Sequence, residues 1–215
     1  MLNSRIFSSL STRSRTRKME LLRSSFDLGE GVKILDVGGQ VDRAGQQLVD
    51  SHPYKRNLTV LNMRASYLDE IARNYPEVSV EQGDARKLPY PDKSFDLVYS
   101  NAVIEHVGDW QDQMAMAREV MRVGRNWFVT TPNRWYPFEF HMRLPLVSWL
   151  PYTWMQKVGS VWSYNHGEKR YRSGQNYRLR LLTQREMRKL FPGARVIPVR
   201  ITAWPETLIA TSAGM

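Results

Sequence analysis

"VKILDVGGQVDRAG", Val32–Gly45, is the stretch whose reading decides the fold. A short apolar run that ends in two glycines has the form of a buried strand running into a tight turn. Outward from it, strand-like runs alternate with amphipathic stretches: "RAGQQLVDS" as helix, "NLTVLNM" as strand, "SYLDEIARNY" as helix, then "VSVEQGD" and "FDLVYSNAV" as strands. A helix over Trp110–Val123 carries Met114, Ala117, Val120 and Met121 on one face, and the strand "NWFVTTP" ends at Pro132. This alternation predicts a parallel sheet with crossover helices on both faces. Near the C-terminus "TQREMRKLF" restarts a helix with Thr183 and Glu186 at capping-box spacing. "ARVIPVRITAW" and "ETLIATSA" are close enough in sequence for a terminal antiparallel hairpin. The fold class is therefore α/β, mostly parallel, with helices packed around one open sheet.

With 215 residues and 42% hydrophobic side chains, the chain is expected to form one domain over 1–215. The absence of cysteine excludes disulfides, thiolate metal sites and cysteine nucleophiles, and suits a reducing compartment. A net charge of +10 favours anionic surroundings. Basic residues crowd the first 30 positions, where the first acid is Glu20, and this segment reads as an exposed basic helical extension ahead of the core. A Ser- and Arg-rich transit peptide is the other reading, but no cleavage signal accompanies it. No apolar run reaches the roughly twenty residues that cross a bilayer. The expected location is cytoplasmic, with peripheral contact to an anionic membrane as the variant. The segment 134–180 breaks the pattern: it is dense in aromatics, interrupted by Pro137, Pro145 and Pro151, and followed by the polar, basic loop "NHGEKRYRSGQNYRLR". It reads as an insertion rather than another βα unit.

In an open parallel sheet the ligand crevice lies at the carboxyl ends of the strands. Asp36, Gly38 and Gly39 follow the first strand, Asn62 ends the second, Asp84 and Ala85 follow the third, and Ser100, Asn101, Glu105 and His106 follow the fourth. "ILDVGG", "GDARKLPYPDKSFDLVYSNAVIEHV" and "RVGRNWFVTTPNR" together resemble a class I S-adenosylmethionine-dependent methyltransferase of the broad small-molecule type. The resemblance spans roughly Val32 to Arg134, and it implies a Rossmann-like sheet and S-adenosylmethionine as cofactor. It further implies that Gly38 and Gly39 let the backbone approach the methionine portion, and that Asp36 orients the loop or the cofactor's amino group. Asp84 would accept from the adenine amino group, Ala85 would donate its amide to the ring, and Ser100 and Asn101 would flank the methionine portion.

The first motif departs from the family's pattern. Gln40 and Asp42 stand where glycines are usual, Gly45 comes too late to restore the spacing, and neutral Asn62 replaces the acid that takes the ribose hydroxyls. The absence of G-x-G-x-x-G argues against a dinucleotide dehydrogenase. In "AVIEHV", relatives that methylate quinone precursors or small-RNA ends carry a glutamate three residues before Glu-His and bind a divalent metal. Ala102 stands there, so Glu105 and His106 alone make a poor site and no metal is expected.

His106 is a candidate general base, and His141 in "FEFHMR" is a second, each set against a purely packing role. Methyl transfer to an anionic acceptor needs only alignment of the reactants. Trp135, Tyr136, Phe138, Phe140, Trp149, Tyr152 and Trp154 suit an apolar, planar or lipid-like acceptor, or else a satellite core, or a membrane-seeking surface. Two other readings compete with a methyltransferase of small molecules. One is a catalytically silent binding protein in which Gln40, Asp42 and Asn62 mark loss of the cofactor. The other is an RNA methyltransferase, for which the charge alone speaks.

Overall fold

Every residue of β1 (Ile34–Val37) is buried, as expected of a strand covered on both faces. The computed structural model describes residues 4–42, 47–165, 170–172 and 179–214, with residues 4–11, 163–165 and 170–172 described through their backbone. Helix α1 (Ser4–Ser25) precedes β1, and α2 (Leu48–Ser51), β2 (Leu58–Asn62), α3 (Ala65–Asn74), β3 (Ser79–Gln82), β4 (Phe95–Asn101), α4 (Trp110–Val123) and β5 (Gly124–Pro132) follow it. The insertion then contributes β6 (Phe138–Glu139), β7 (Leu144–Pro145), α5 (Tyr152–Val161), β8 (Ser163–Asn165) and β9 (Arg170–Arg172). The chain finishes with α6 (Gln184–Leu190), β10 (Arg195–Arg200) and β11 (Pro205–Thr211).

The main sheet has seven strands in the order β10-β11-β5-β4-β1-β2-β3. Ile34 lies opposite Leu58 on one side and Leu97 on the other, both in parallel register. Only β11 runs against its neighbours, pairing antiparallel with both β5 and β10, so the expected terminal hairpin is present. Successive side chains of β1 enter opposite layers. Leu35 and Val37 pack with Met116, Ala117 and Val120 of α4, whereas Ile34 packs with Leu22 of α1 and Ile71 of α3. All the carboxyl ends of β1 to β5 therefore open on one edge.

Two expectations about helix faces need correction. Helix α4 has the expected bounds, but its buried stripe is Gln113, Met116, Ala117, Val120 and Val123, with Met114 and Met121 only flanking it. Gln113 takes a core position because its amide donates to the Ile104 and Arg180 carbonyls, which leaves no unmet polar group. Helix α1 is not simply exposed either: Met19 and Leu22 enter the core and Lys18 is buried beside them. Arg13, Arg17 and Arg23 are exposed, and such cations hide in the composition a stripe that is apolar.

The Thr183 capping box forms as read, with Thr183 Oγ1 accepting from the Glu186 amide and Glu186 accepting from the Thr183 amide. The insertion builds a satellite core from Met142, Val147, Met155, Leu179 and Leu181. Where a plain loop was expected over 165–180, Ser163–Asn165 and Arg170–Arg172 pair as an antiparallel hairpin. Residues 166–169 and 173–178 of that loop, and Gly45, lie outside the described residues. Among the described residues no helix is long and apolar enough to cross a membrane.

If α1 is part of the core, Leu22→Ala will lower stability by about 2–4 kcal/mol, the range for deleting a buried leucine. A denaturant titration showing under about 0.5 kcal/mol, as for an ordinary surface change, would mean that α1 is detached in solution.

Candidate active site

The turn after β1 is built from its own close contacts. Gly38 has φ +82°, and a Cβ there would lie 2.4 Å from Val103 Cγ2, so only glycine fits. A Cβ on Gly39 would meet the Asp36 carboxylate at 2.5 Å. Asp36 is buried, and burial followed by the charge of Asp50 pushes its carboxyl up to about 7. The side chain of Gln40 is exposed, and Asp42 is drawn away to an ion pair with Arg15 of α1. The tight turn at Gly38 and Gly39 is thus kept in spite of the variant motif.

The remaining strand-end residues have partners of their own. Asn62 donates from Nδ2 to the Gly39 carbonyl at 2.9 Å and accepts the Arg64 amide on Oδ1 at 3.0 Å, so it clasps the first loop. Ser100 Oγ donates to the Val37 carbonyl at 3.0 Å and joins β4 to β1. Asn101 Oδ1 accepts from Lys18 Nζ and from Thr130 Oγ1, each at 2.8 Å. Burial lowers the Lys18 ammonium to about 8, with Glu206 pulling the other way.

Asp84 caps its own turn by accepting the Arg86 amide at 2.9 Å, and it also accepts the Arg86 guanidinium at 2.6 Å. Arg86 reaches on to Asp112 at 2.7 Å and holds both carboxyls below their usual range. Ala85 is buried beside this pair. The sequence reading overlooked Arg86 and Lys18. The i, i+2 spacing of Asp84 and Arg86 was a visible signal for the first, and nothing local announced the second.

The second half of the site lies beyond β4, where Ala102 adopts a left-handed φ of 57° and a short turn follows over Ile104–His106. The Arg180 amide donates to the Glu105 carbonyl and ties this turn to the end of the insertion. The insertion in turn delivers His141, whose ring centroid lies 4.9 Å from that of His106, edge to face. His141 Nδ1 pairs with Glu139 Oε1 at 2.7 Å, which leaves Nε2 as the atom directed elsewhere. Burial alone would lower the His141 pKa, yet Glu139 and Glu105 raise it above the ordinary value. Partial desolvation and the facing His141 lower that of His106.

Glu105 is fully buried; Oε2 accepts from Thr131 Oγ1 at 3.1 Å, and among the described residues Oε1 has no hydrogen-bond partner. Glu105, His106 and His141 each present a ligand atom within 4.8 Å of the others. The sequence argument against a metal counted two ligands, whereas folding adds a third side chain from 35 residues downstream.

The strand order, the single reversed strand and the convergence of these residues on the carboxyl edge define a class I methyltransferase fold. Residues 35–126 match the family model described as a methyltransferase domain. A probable S-adenosylmethionine-dependent methyltransferase of Mycolicibacterium smegmatis is 33% identical over 79 residues, covering 37% of this chain and 31% of the relative. A ubiquinone biosynthesis O-methyltransferase of Rhizobium etli is 29% identical over 112 residues, covering 49% and 43%. A 2-methyl-6-phytyl-1,4-hydroquinone methyltransferase of Oryza sativa is 33% identical over 95 residues, covering 43% and 28%. The chain thus spans about a third of the length of the first curated relatives it matches. Among solved structures, a Pyrococcus horikoshii protein superposes with a TM-score of 0.61 at 18% identity, covering 93% of this chain and 89% of that one. A methyltransferase structure from Aquifex aeolicus gives 0.53 at 15% identity, covering 90% and 87%.

The Glu139–His141 pair fixes a pH dependence. Its stabilisation needs Glu139 ionised, hence pH above the ordinary carboxyl value of 4.5, and it declines as pH rises above the ordinary imidazole value of 6.5 and through the raised value of the folded state. The melting-temperature difference between the native chain and Glu139→Gln will therefore be largest between those two values. A ring-proton NMR titration will show the His141 pKa falling in the variant; an unchanged value would mean that the pair is not formed in solution.

Proposed function

We propose that the chain transfers a methyl group from S-adenosylmethionine to an oxygen of a small organic or lipid-like acceptor lying beneath the 134–180 lid. The observation that carries this reading is the Glu139–His141 pair, poised with His106 next to the strand ends that form the cofactor crevice. The names of two relatives, one specifying O-methyl transfer and one a hydroquinone, support a hydroxyl-bearing ring as acceptor.

In this reading Gly38 and Gly39 supply the cradle, Asp36 and Asn62 keep its shape, and Asp84 and Ala85 face the adenine. Ser100 and Asn101 border the methionine portion. When bound, the sulfonium supplies an electrophilic methyl group. The protein aligns the acceptor with it, and His141 Nε2 takes the acceptor proton while Glu139 stabilises the imidazolium. His106 forms the opposite wall. Tyr136 stacked on Phe140 keeps water from the acceptor side.

Titration calorimetry with S-adenosylhomocysteine tests the cofactor half. We expect saturable binding, weakened about 10-fold or more by Asp84→Ala, as for losing a hydrogen bond to a charged group. A well-folded chain that binds none of it is the silent relative instead. Methyl incorporation into RNA, together with salt-sensitive RNA binding, would favour the nucleic-acid reading. With an acceptor in hand, His141→Ala will lower kcat by about 10²–10⁴, the usual range for a lost general base.

A second reading is favoured by Glu105 Oε1, unpartnered among the described residues: Glu105, His106 and His141 would hold a divalent cation, which would supply Lewis-acid chemistry beside the acceptor. In that arrangement Glu139 orients His141 through Nδ1, as outer carboxylates do for metal-bound histidines. Dialysis against a chelator separates the two. Turnover that survives it supports the base, and turnover lost and restored by added Mg²⁺ or Zn²⁺ supports the cation.

A further inference from the structure

Tryptophan is a residue that folded proteins tend to cover. Yet of the seven in this chain, Trp135, Trp149, Trp154, Trp162 and Trp204 are between 41% and 61% exposed. Four belong to residues 134–162 and the fifth to the turn between β10 and β11. Leu146 and Leu150 lie among them, also exposed.

These side chains form a surface with internal contacts. The Trp149 and Trp204 rings are 6.2 Å apart, Trp149 Nε1 donates to the Trp135 carbonyl, and Arg134 donates to the Leu150 carbonyl. Between Trp135 and Trp204 opens a cavity of about 470 Å³, lined also by Pro198, Arg200 and Leu208. Leu146 holds a left-handed φ of 59°, a conformation that costs a leucine energy and that here carries an exposed side chain.

The charges around this surface have one sign. The Arg134 guanidinium lies 5.6 Å from the Trp135 ring and the Lys157 ammonium 5.6 Å from the Trp154 ring. Residues 134–162 contain a single acid, Glu139, which is buried and engaged by His141. The segment therefore presents indoles, leucines and cations, and no exposed carboxylate of its own.

We propose that this surface docks onto anionic lipid bilayers, with the indoles at headgroup level and Arg134, Lys157 and Arg200 among the lipid phosphates. Indoles favour that boundary because the ring is apolar while its N–H remains hydrated, and basic residues are drawn to the negative surface potential. A second copy of the chain is a poor occupant, since it would bring cations against cations. Docking also gives the lid a direction: the insertion that touches the membrane is the one that carries Glu139 and His141. An acceptor dissolved in the bilayer would reach the site without crossing water.

The test uses the full chain without methyl donor or acceptor, so its outcome is independent of the methyl-transfer reading. Co-sedimentation is measured with vesicles of phosphatidylcholine alone and with 30% phosphatidylglycerol. We expect about 10-fold stronger partitioning to the anionic vesicles, with a blue shift of tryptophan emission. A Trp149→Ala, Trp154→Ala, Trp204→Ala variant, whose circular dichroism and melting must match the native chain, will lose most of that binding at unchanged net charge. Arg134→Gln with Lys157→Gln, held to the same folding controls, will weaken anionic binding and leave any residual neutral binding in place. Equal binding by the triple alanine variant would assign the contact to cations elsewhere, such as the N-terminal 30 residues, and overturn the proposal. So would absence of binding to either vesicle, or self-association on a sizing column that the alanine substitutions abolish.

Discussion

The working edge of this molecule depends on one amide oxygen. Asn101 Oδ1, at the carboxyl end of β4, accepts from Lys18 of α1 and Thr130 of β5, and so joins the N-terminal helix to two central strands. Burying an ammonium group is expensive unless it is paired and hydrogen-bonded. Here Asn101 supplies the hydrogen bond and Glu206 the nearby charge, yet the balance still leaves Lys18 near 8. The helix is held against the end of β4, and Arg15 extends from the same helix to Asp42 in the first loop. A segment that composition alone marks as a basic tail is thereby tied to the end of β4 and to the first loop.

The acceptor side is organised by two buried glutamates held in opposite protonation tendencies. Glu139 has the His141 ring on one oxygen and the Met142 amide on the other, and its pKa lies below the ordinary value despite burial. Glu105 has only the Thr131 hydroxyl, and burial raises it to about 7. Near neutral pH the first carries a settled charge and the second is poised to gain or lose a proton. His141 lies between them.

Much of the architecture was legible because it rests on local pattern. The β/α alternation, the bounds of α4, the Thr183 capping box and the terminal hairpin all follow from periodicity and cap chemistry within a few residues. The clustering of His106 with His141 was not legible, since a two-residue strand and a turn in an aromatic segment bring them together across the fold. Glu139 stands two residues before His141, but without the backbone path nothing shows that both side chains turn to the same point. Helix α1 was misread because Lys and Arg dominate its composition, although Met19 and Leu22 carry the spacing of a buried face. Gln113 shows a third kind of gap: a polar residue becomes core when distant carbonyls, at Ile104 and Arg180, meet its amide.

The three departures in the cofactor motifs are best understood as a single change. Where the family's pattern has glycines, this loop has Gln40 and Asp42, and it must gain by specific contacts the shape that glycines allow by freedom of φ. Arg15 takes the Asp42 side chain, Asp50 accepts the Asp42 amide, and Asn62 Nδ2 donates to the Gly39 carbonyl. That last contact requires an amide. An ionised acid at position 62 would set its oxygen against the Gly39 carbonyl, close to Asp36, which already resists ionisation in this buried setting. Asn62 is thus neutral because the loop it clasps lacks the glycines. Its lack of charge follows from that clasp.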